Sequence, residues 1–271
     1  MSIIRLFHRT FSTLCRRSSL AALDSDPSST NIWTRAPLSL INPATSDGTL
    51  FHISIDVSDN PDLVEAYTVA GQYLQVRIPV FSEKKPVFLA IASPPVLAAQ
   101  RGVFEFLVKA VAGSTAEVLC GMGRGGLVEL STVMGNGFPM ERIEGAQSIF
   151  MFATGSGISP IRSLIESGFT ANQGSEIELY YGVRNIERMA YQERFKDWES
   201  SGVKIVPVLS QPDHRWSGER GFVQAAFSRT KQILNPSRTG AVLCGRKKMA
   251  EDVTSSLVFN GVSREKILMN F

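Results

Sequence analysis

Residues 152–160 read Phe-Ala-Thr-Gly-Ser-Gly-Ile-Ser-Pro, and they continue a short apolar run that is typical of a buried strand. Gly155 and Gly157 permit a tight turn there and let the backbone approach a phosphate group closely. We expect Ser159 to cap a helix that begins at Pro160. Amide donors at the start of that helix would then face the phosphate. An ordinary strand–turn–helix connection is the alternative interpretation.

Short apolar strands alternate with segments of helical spacing from this point to the C-terminus. The predicted strands are Ser148–Thr154, Glu176–Gly182, Val203–Leu209 and Ala241–Cys244. The predicted helices are Pro160–Ser167, Tyr191–Ser200, Phe222–Leu234 and Lys247–Asn260. Apolar strands separated by helices predict a doubly wound α/β domain with a parallel sheet, here over residues 145–271. Ligands of such sheets bind at the carboxyl ends of the strands.

The preceding part of the chain has a different periodicity. Phe51–Val57 and Leu74–Val80 alternate apolar and polar residues, and Val103–Lys109 and Leu127–Leu130 have the composition of further short strands. Several short strands of this kind predict an antiparallel barrel or sandwich. We therefore expect two domains, an antiparallel β-barrel over residues 36–142 and the α/β domain after the linker Glu141–Ala146.

The first 35 residues have the composition of an organellar transit peptide. They contain five arginines against Asp24 and Asp26, with no acid earlier in the chain. A plastid or a mitochondrial leader fits this composition, and a basic helix docked on the domain is the alternative. The remaining residues carry 23 basic and 23 acidic side chains (28 less 5 and 25 less 2), which argues against a nucleic-acid partner.

Metal centres and membrane spans are not expected from this sequence. The cysteines are Cys15, Cys120 and Cys244, and the three histidines are scattered. An iron–sulfur cluster requires about four thiolates, so this chain cannot hold one alone. No apolar run reaches the roughly 18 residues that cross a bilayer.

The end of the second predicted strand of the α/β domain bears on the choice of nucleotide. Arg184 and Arg188 follow it, with Glu187 between them. Arginine suits the 2′-phosphate of NADP, whereas NAD sites often place an acid near the ribose. The sequence favours NADP, with NAD as the alternative and a solvated arginine as the simpler interpretation.

Four segments together resemble the ferredoxin–NADP reductase superfamily, and they cover most of residues 36–271. They are Ala153–Pro160, Tyr181–Arg184 with Tyr191–Trp198, Leu243–Met249 and Gly261–Phe271. Met134-Gly-Asn-Gly-Phe138 is similar to the loop that ends the flavin barrel in electron-transfer subunits of dihydroorotate dehydrogenase. The whole is similar to a plant branch of kiwifruit-protein-like oxidoreductases, which favours a plastid location.

This resemblance implies an FAD-binding barrel followed by an NADP domain, with hydride passing between nicotinamide C4 and flavin N5. It places Cys244 beside the nicotinamide and Phe271 on the flavin as the catalytic side chains. The residues that it implies for the nucleotide are Thr154, Gly155, Ser156, Gly157, Ile158, Pro160, Arg184, Ser210, Gly245, Arg246 and Met249. Arg246 replaces a usual proline, and Gln211 stands where NADP enzymes often have arginine.

The flavin half departs from the family's Arg-x-Tyr-Ser motif. Val87, Leu89 and Ala90 stand at the positions of its arginine, tyrosine and serine. Losing the arginine removes bonds worth about 1.5–3 kcal/mol each. The residues that the resemblance still implies on the flavin side are Ala90, Ile91, Ala92, Ser93, Gly113, Ser114 and Thr115.

We therefore expect a flavin-dependent NAD(P)H oxidoreductase that passes electrons to an acceptor outside the chain: a protein, a quinone or another small molecule. The rival interpretation is a non-catalytic nucleotide-binding or regulatory module that has lost tight FAD binding. A third is an electron-transfer subunit that is active only within a complex.

Overall fold

The computed structural model describes residues 32–81, 83–169 and 175–270. The predicted leader therefore lies outside the described residues, except for its last four positions, and Phe271 lies outside them too. The described residues form one compact unit that holds two six-stranded sheets. Within the described residues, no helix is both long and apolar enough to cross a membrane.

The first sheet is antiparallel and nearly closed into a barrel. Its strands are β1 (Thr34–Pro43), β2 (Leu50–Asp56), β3 (Tyr73–Arg77), β4 (Val87–Ala90), β5 (Val103–Lys109) and β6 (Leu127–Leu130). They are ordered β4-β3-β6-β1-β2-β5. Just after β4, the Ala92 amide donates to the carbonyl oxygen of Glu105 on β5 at 2.7 Å, which brings the two edges together. Side chains that alternate inward from each strand fill the interior.

Several elements of this half were not predicted from the sequence. The strands β1 and β4 were missed, as were three short helices, α1 (Pro61–Ala66), α2 (Pro95–Arg101) and α3 (Thr115–Cys120). Because β1 begins at Thr34, Thr34 and Arg35 form part of the first sheet. Arg35 Nε pairs with Glu129 Oε1 of β6 at 3.2 Å.

The second sheet is parallel throughout and has helices between its strands. Its strands are β7 (Ser148–Thr154), β8 (Glu176–Val183), β9 (Val203–Leu209), β10 (Glu219–Arg220), β11 (Thr239–Cys244) and β12 (Ile267–Met269). The longer helices are α4 (Ile158–Glu166), α5 (Phe195–Ser200), α6 (Val223–Thr230) and α7 (Lys247–Phe259). The strand order β10-β9-β8-β7-β11-β12 confirms the predicted doubly wound class. From β7, successive strands are added on one side as far as β10, and β11 and β12 are then added on the other side. The switch point therefore lies between β7 and β11, and such sheets bind their ligands at this point.

The two sheets share a hydrophobic core across their seam. Leu50, Leu107 and Phe138 from the barrel half are buried in the same cluster as Ile161 and Tyr181 of the α/β half. The predicted linker is part of this packing. It overlaps a turn of 3₁₀ helix, Met140–Ile143, and Ile143 is buried against Gly240 of β11.

Candidate functional site

The loop after β7 meets the end of β11 at the switch point of the parallel sheet. The Arg246 amide donates to Thr154 Oγ1 at 2.9 Å, which ties the two strand ends together. Met249, in the first turn of α7, is buried beneath Gly245. Thr154, Gly245, Arg246 and Met249 are thus brought together with the glycine loop, although they are distant in sequence.

The helix after this loop begins earlier than the sequence predicted. Gly155–Gly157 already form a turn of 3₁₀ helix, and α4 continues from Ile158 with Gly157 at its N-cap. Ser159 is therefore inside the helix and buried, and its hydroxyl has no hydrogen-bond partner among the described residues. The prediction that Ser159 caps the helix was wrong, because the glycine turn itself is helical. The free amides at the helix start belong to the loop.

Glycine is required at positions 155 and 157 for different structural reasons. A Cβ on Gly157 would lie 2.5 Å from the carbonyl oxygen of Cys244 and 2.8 Å from Gly245 Cα. Gly157 thus permits the loop to pack closely against the end of β11. Gly155 has a φ of 56° and no heavy atom within 4 Å of a Cβ position, so its open side leaves room for a ligand.

Cys244 is buried at the carboxyl end of β11. Burial raises the pKa of its thiol to about 12, so the sulfur stays protonated near neutral pH. A neutral thiol at this position is a small polarizable surface and not a nucleophile.

The arginines after β8 are not equivalent. Arg188 Nε pairs with Asp47 Oδ2 at 2.7 Å, so it fastens the loop after β8 to the barrel half. Arg184 is exposed. The backbone amide of Gln211 donates to the carbonyl oxygen of Arg184 at 2.7 Å, and the Ser210 amide donates to the carbonyl oxygen of Val183 at 3.0 Å. Arg184 and Ser210 therefore lie side by side at the sheet edge.

Sequence reasoning missed a buried ion network at the seam between the two halves. Arg162 of α4 has only 4% of its side chain exposed and donates to Glu105 of β5 and Glu166 of its own helix. Burial opposes its charge, but Tyr191 and the two carboxylates raise the pKa of Arg162 overall. The signal in the sequence was an arginine inside an otherwise apolar helical stretch, Pro160-Ile-Arg-Ser-Leu-Ile165.

Most residues of the stretch 90–93, which the resemblance implies for the flavin side, are buried within the barrel half. Ile91, Ala92 and Ser93 are fully buried. The Ser93 hydroxyl accepts a hydrogen bond from the Glu105 amide at 3.1 Å. The carbonyl oxygen of Ser93 accepts one from the Tyr67 hydroxyl at 2.6 Å. Of the stretch 90–93, only Ala90 is partly exposed.

The loop Gly113–Thr115 also makes its polar contacts within the chain. The Gly113 amide donates to Glu117 Oε2 at 2.7 Å, and the Ser114 hydroxyl donates to Val111 at 2.6 Å. The Thr115 hydroxyl donates to the carbonyl oxygen of Lys85 at 2.7 Å. These three groups therefore make hydrogen bonds within the chain in this structure, and the role of the loop on the flavin side stays a prediction.

The part of the chain that the structure describes contains no group of three or more His, Cys, Asp or Glu side chains that could hold a metal ion. Cys120 and Cys244 are both unpaired and buried there.

Residues 151–255 match the family model of the oxidoreductase NAD-binding domain. The chain is 46% identical over 246 residues to the fruit protein pKIWI502 of Actinidia deliciosa, covering 89% of this chain and 77% of the relative. It is 27% identical over 225 residues to the gamma subunit of sulfhydrogenase 1 from Pyrococcus furiosus, covering 78% of this chain and 70% of the relative.

Solved structures share the whole architecture. The ferredoxin–NADP⁺ reductase of Neisseria gonorrhoeae, solved with FAD and NADP, superposes with a TM-score of 0.72 at 20% identity, over 88% of this chain and 97% of that chain. The cytochrome b5 reductase domain of Ulva prolifera nitrate reductase gives a TM-score of 0.71 at 18% identity, over 89% and 97%. At these identities the likeness concerns the fold.

The chain belongs to the family of the plant fruit protein pKIWI502, as the sequence motifs indicated, and it has the two-domain fold of the ferredoxin–NADP reductases. Its oxidoreductase NAD-binding domain makes it an NAD(P)H oxidoreductase. FAD and NADP are the cofactors bound in the Neisseria reductase that shares this fold. The relatives give no support to a non-catalytic module.

The described residues fit a nicotinamide dinucleotide at the glycine loop, where Gly155 is open and the loop amides start a helix. They fit FAD differently from the family motif. Leu89 packs in the barrel core. At the loop before α3, Lys84 Nζ donates to the carbonyl oxygen of Gly113 at 2.7 Å, so one cation lies at this loop. Tyr73 and Phe88 lie on the outer face of β3 and β4, with ring centroids 6.0 Å apart.

Proposed function

We propose that this chain oxidises NADPH at the loop Thr154–Gly157 and delivers the electrons through FAD to an acceptor outside the chain. The observation that carries this proposal is the position of the loop. It lies at the switch point of the parallel sheet, with its open glycine, Gly155, beside the end of the strand that holds Cys244. Nucleotides bind at this point of doubly wound sheets because amide donors and the helix dipole converge there.

Each residue of the site has a role that its placement supports. The amides of Gly155, Ser156 and Gly157 would bind the pyrophosphate, and the positive end of α4 favours its charge. Ile158 is buried behind the loop and supports it. Cys244 would press its neutral thiol against the nicotinamide and orient the ring. FAD, when bound, supplies the chemistry that takes a hydride from nicotinamide C4 and releases its electron pair to the acceptor.

Arg184 would select NADP over NAD. Its side chain is exposed at the carboxyl edge of the sheet, next to Ser210, which can add a hydroxyl donor to a 2′-phosphate. Arg188 takes no part in this selection, because it is paired with Asp47.

The electron acceptor must be a separate molecule. The two cysteines of the described residues, Cys120 at the end of α3 and Cys244 at the end of β11, are buried in different halves and too few to hold an iron–sulfur cluster. One relative is named as an electron-transfer component, that of xylene/toluene monooxygenase from Pseudomonas putida, which is 28% identical over 121 residues, 42% of this chain and 33% of the relative. A redox protein that accepts electrons is therefore the favoured partner.

The leader would direct the protein to a plastid. The similarity to a plant fruit protein supports this location. The arginine-rich start fits a mitochondrial leader as well, so a mitochondrion is the alternative. Fusing residues 1–35 to a fluorescent reporter in leaf cells tests it. Fluorescence that coincides with chlorophyll is expected, and diffuse cytosolic fluorescence would contradict the proposal.

The oxidoreductase proposal is tested by anaerobic titration of the purified protein with NADPH and, separately, NADH. We expect a yellow protein whose visible flavin absorbance is bleached by one equivalent of NADPH and more slowly by NADH. A colourless protein that cannot be reconstituted with added FAD would contradict it.

A further inference from the structure

Two aromatic rings lie on the outer face of the barrel, where β3 and β4 pair. Tyr73 is opposite Ala90, and Gln75 is opposite Phe88. Because paired residues of antiparallel strands share a face, Tyr73 and Phe88 both point away from the core, while Leu74 and Leu89 point into it. The ring centroids of Tyr73 and Phe88 are 6.0 Å apart, and Phe88 is 60% exposed.

Tyr73 lies close to the segment that follows β12. A Cβ on Gly135 would lie 2.6 Å from Tyr73 Cε1 and 3.6 Å from the carbonyl oxygen of Asn270, so the glycine leaves room for the Tyr73 ring. Met269 pairs with Leu243, so Asn270 follows β12 at the same end of the parallel sheet at which Cys244 ends β11. Tyr73 and Asn270 thus both lie next to Gly135, at the end of the sheet that carries Cys244.

The same place has a buried polar group without a partner. Asn270 is 4% exposed and donates from Nδ2 to the carbonyl oxygen of Gly71 at 3.2 Å. Its Oδ1 accepts no hydrogen bond from the described residues. A buried acceptor in this condition indicates a missing polar partner, and a flavin ring carries an N–H donor along one edge.

We propose that Tyr73, backed by Phe88, is the aromatic surface on which this chain stacks the flavin ring. The inference rests on the proposed function and deepens it, because the family's own tyrosine position is occupied by Leu89, which faces the barrel core. Tyr73 supplies from β3 the ring that is missing at position 89 of β4. Stacking there sets the flavin between the barrel and Cys244.

The test compares FAD binding and flavin fluorescence of the wild-type chain with those of Tyr73→Ala, Tyr73→Leu and Tyr73→Phe. Stacking on an aromatic ring quenches flavin emission and contributes about 1–3 kcal/mol, so Tyr73→Ala should raise the Kd for FAD by at least about 5-fold. Tyr73→Leu keeps the bulk but not the ring, and its bound flavin should fluoresce. Tyr73→Phe should behave as wild type. Phe259→Ala is the matched control, since Phe259 is 91% exposed on α7.

Each result has a defined meaning. Unchanged affinity and full quenching in Tyr73→Leu would overturn the inference while leaving the oxidoreductase function intact, because wild-type protein would still bind FAD. An equal loss in Phe259→Ala would also overturn it. If wild-type protein bound no FAD, the proposed function would fail as well. Circular dichroism of the apoproteins shows whether each variant folds. If Tyr73→Ala does not fold, the flavin fluorescence and FAD affinity of Tyr73→Leu decide whether Tyr73 stacks on the flavin.

Discussion

Arg162 on α4 reaches across the seam between the two halves and places Nη2 2.5 Å from Glu105 Oε2 on β5. The same guanidinium bonds Glu166 at 3.0 Å and lies 5.0 Å from the ring centroid of Tyr191. Because α4 starts at the glycine loop, this pair fixes the loop relative to the barrel. The position of the glycine loop relative to the barrel therefore depends in part on one buried cation.

Replacing this cation should destabilise the protein strongly. Arg162→Met leaves Glu105 without its partner, and breaking a buried ion pair typically costs about 3–5 kcal/mol. Urea unfolding of the FAD-free protein measures the loss. Arg35→Met is the control, because Arg35 has 70% of its side chain exposed, and such surface pairs contribute about 0–1 kcal/mol. Equal losses in the two variants would show that the seam pair has no special role.

The two loop glycines should respond differently to alanine. Gly157→Ala forces the loop away from the end of β11, so both stability and NADPH affinity should fall. Gly155→Ala meets no atom, and its positive φ costs only about 1–2 kcal/mol, yet the new methyl occupies the side open to the ligand. Gly168→Ala is the control, since it also has a positive φ and open space but lies at the other end of α4.

Calorimetric titration with NADPH and thermal unfolding check this prediction. Gly155→Ala and Gly168→Ala should lose similar stability, and only Gly155→Ala should lose nucleotide affinity. Equal NADPH affinity in these two variants would place the phosphate elsewhere.

Arg184 should determine the nucleotide preference. Arg184→Glu places a negative charge where the 2′-phosphate is expected, so NADPH affinity should fall at least about 10-fold, the equivalent of 1.4 kcal/mol, while NADH affinity changes little. Arg188→Glu breaks the pair with Asp47 and should lower stability without changing the ratio of the two affinities. The steady-state KM values for NADPH and NADH provide the measurement. An unchanged ratio in Arg184→Glu would assign the selection to another residue.

The seam should be sensitive to acid through His52. This imidazole lies 4.9 Å from the Tyr191 ring, and burial lowers the pKa of His52 below its usual 6.5. Glu193 and Glu105 oppose the shift, whereas Arg162 and Arg194 add to it. The folded state therefore binds fewer protons than the unfolded chain, and stability falls as the pH drops below about 6.5.

Unfolding free energies at pH 8 and pH 5 test this, with His52→Gln as the comparison. The wild-type chain should lose more stability over this interval than the variant, which has no imidazole to protonate. The same loss in both proteins would assign the acid sensitivity to other groups.

The α/β half was predictable because each of its signals is local. An apolar strand, two glycines and a helical repeat specify β7, its turn and α4, and the repetition of this unit specifies a parallel sheet. The exact start of α4 was not predictable, since whether Gly155–Gly157 are helical depends on contact with Cys244 from a strand far along the chain. Ser159 was therefore mistaken for a cap.

The flavin half was harder because its residues are defined by pairing between distant strands. The family motif placed a ring-covering residue at Leu89, but the register with β3 turns that side chain inward and Phe88 outward. Arg188 likewise looked equivalent to Arg184 until the fold brought Asp47 to it. The alternation Tyr73-Leu-Gln-Val-Arg77 did place Tyr73 on the outer face, and this was the overlooked signal.

The most direct test of the central claim is a crystal structure of the FAD-reconstituted protein soaked with NADP⁺. We expect the pyrophosphate against the amides of Gly155–Gly157, the 2′-phosphate beside Arg184 and the nicotinamide next to Cys244. Density for the dinucleotide at any other edge of the sheet, with the glycine loop free of ligand, would contradict the account.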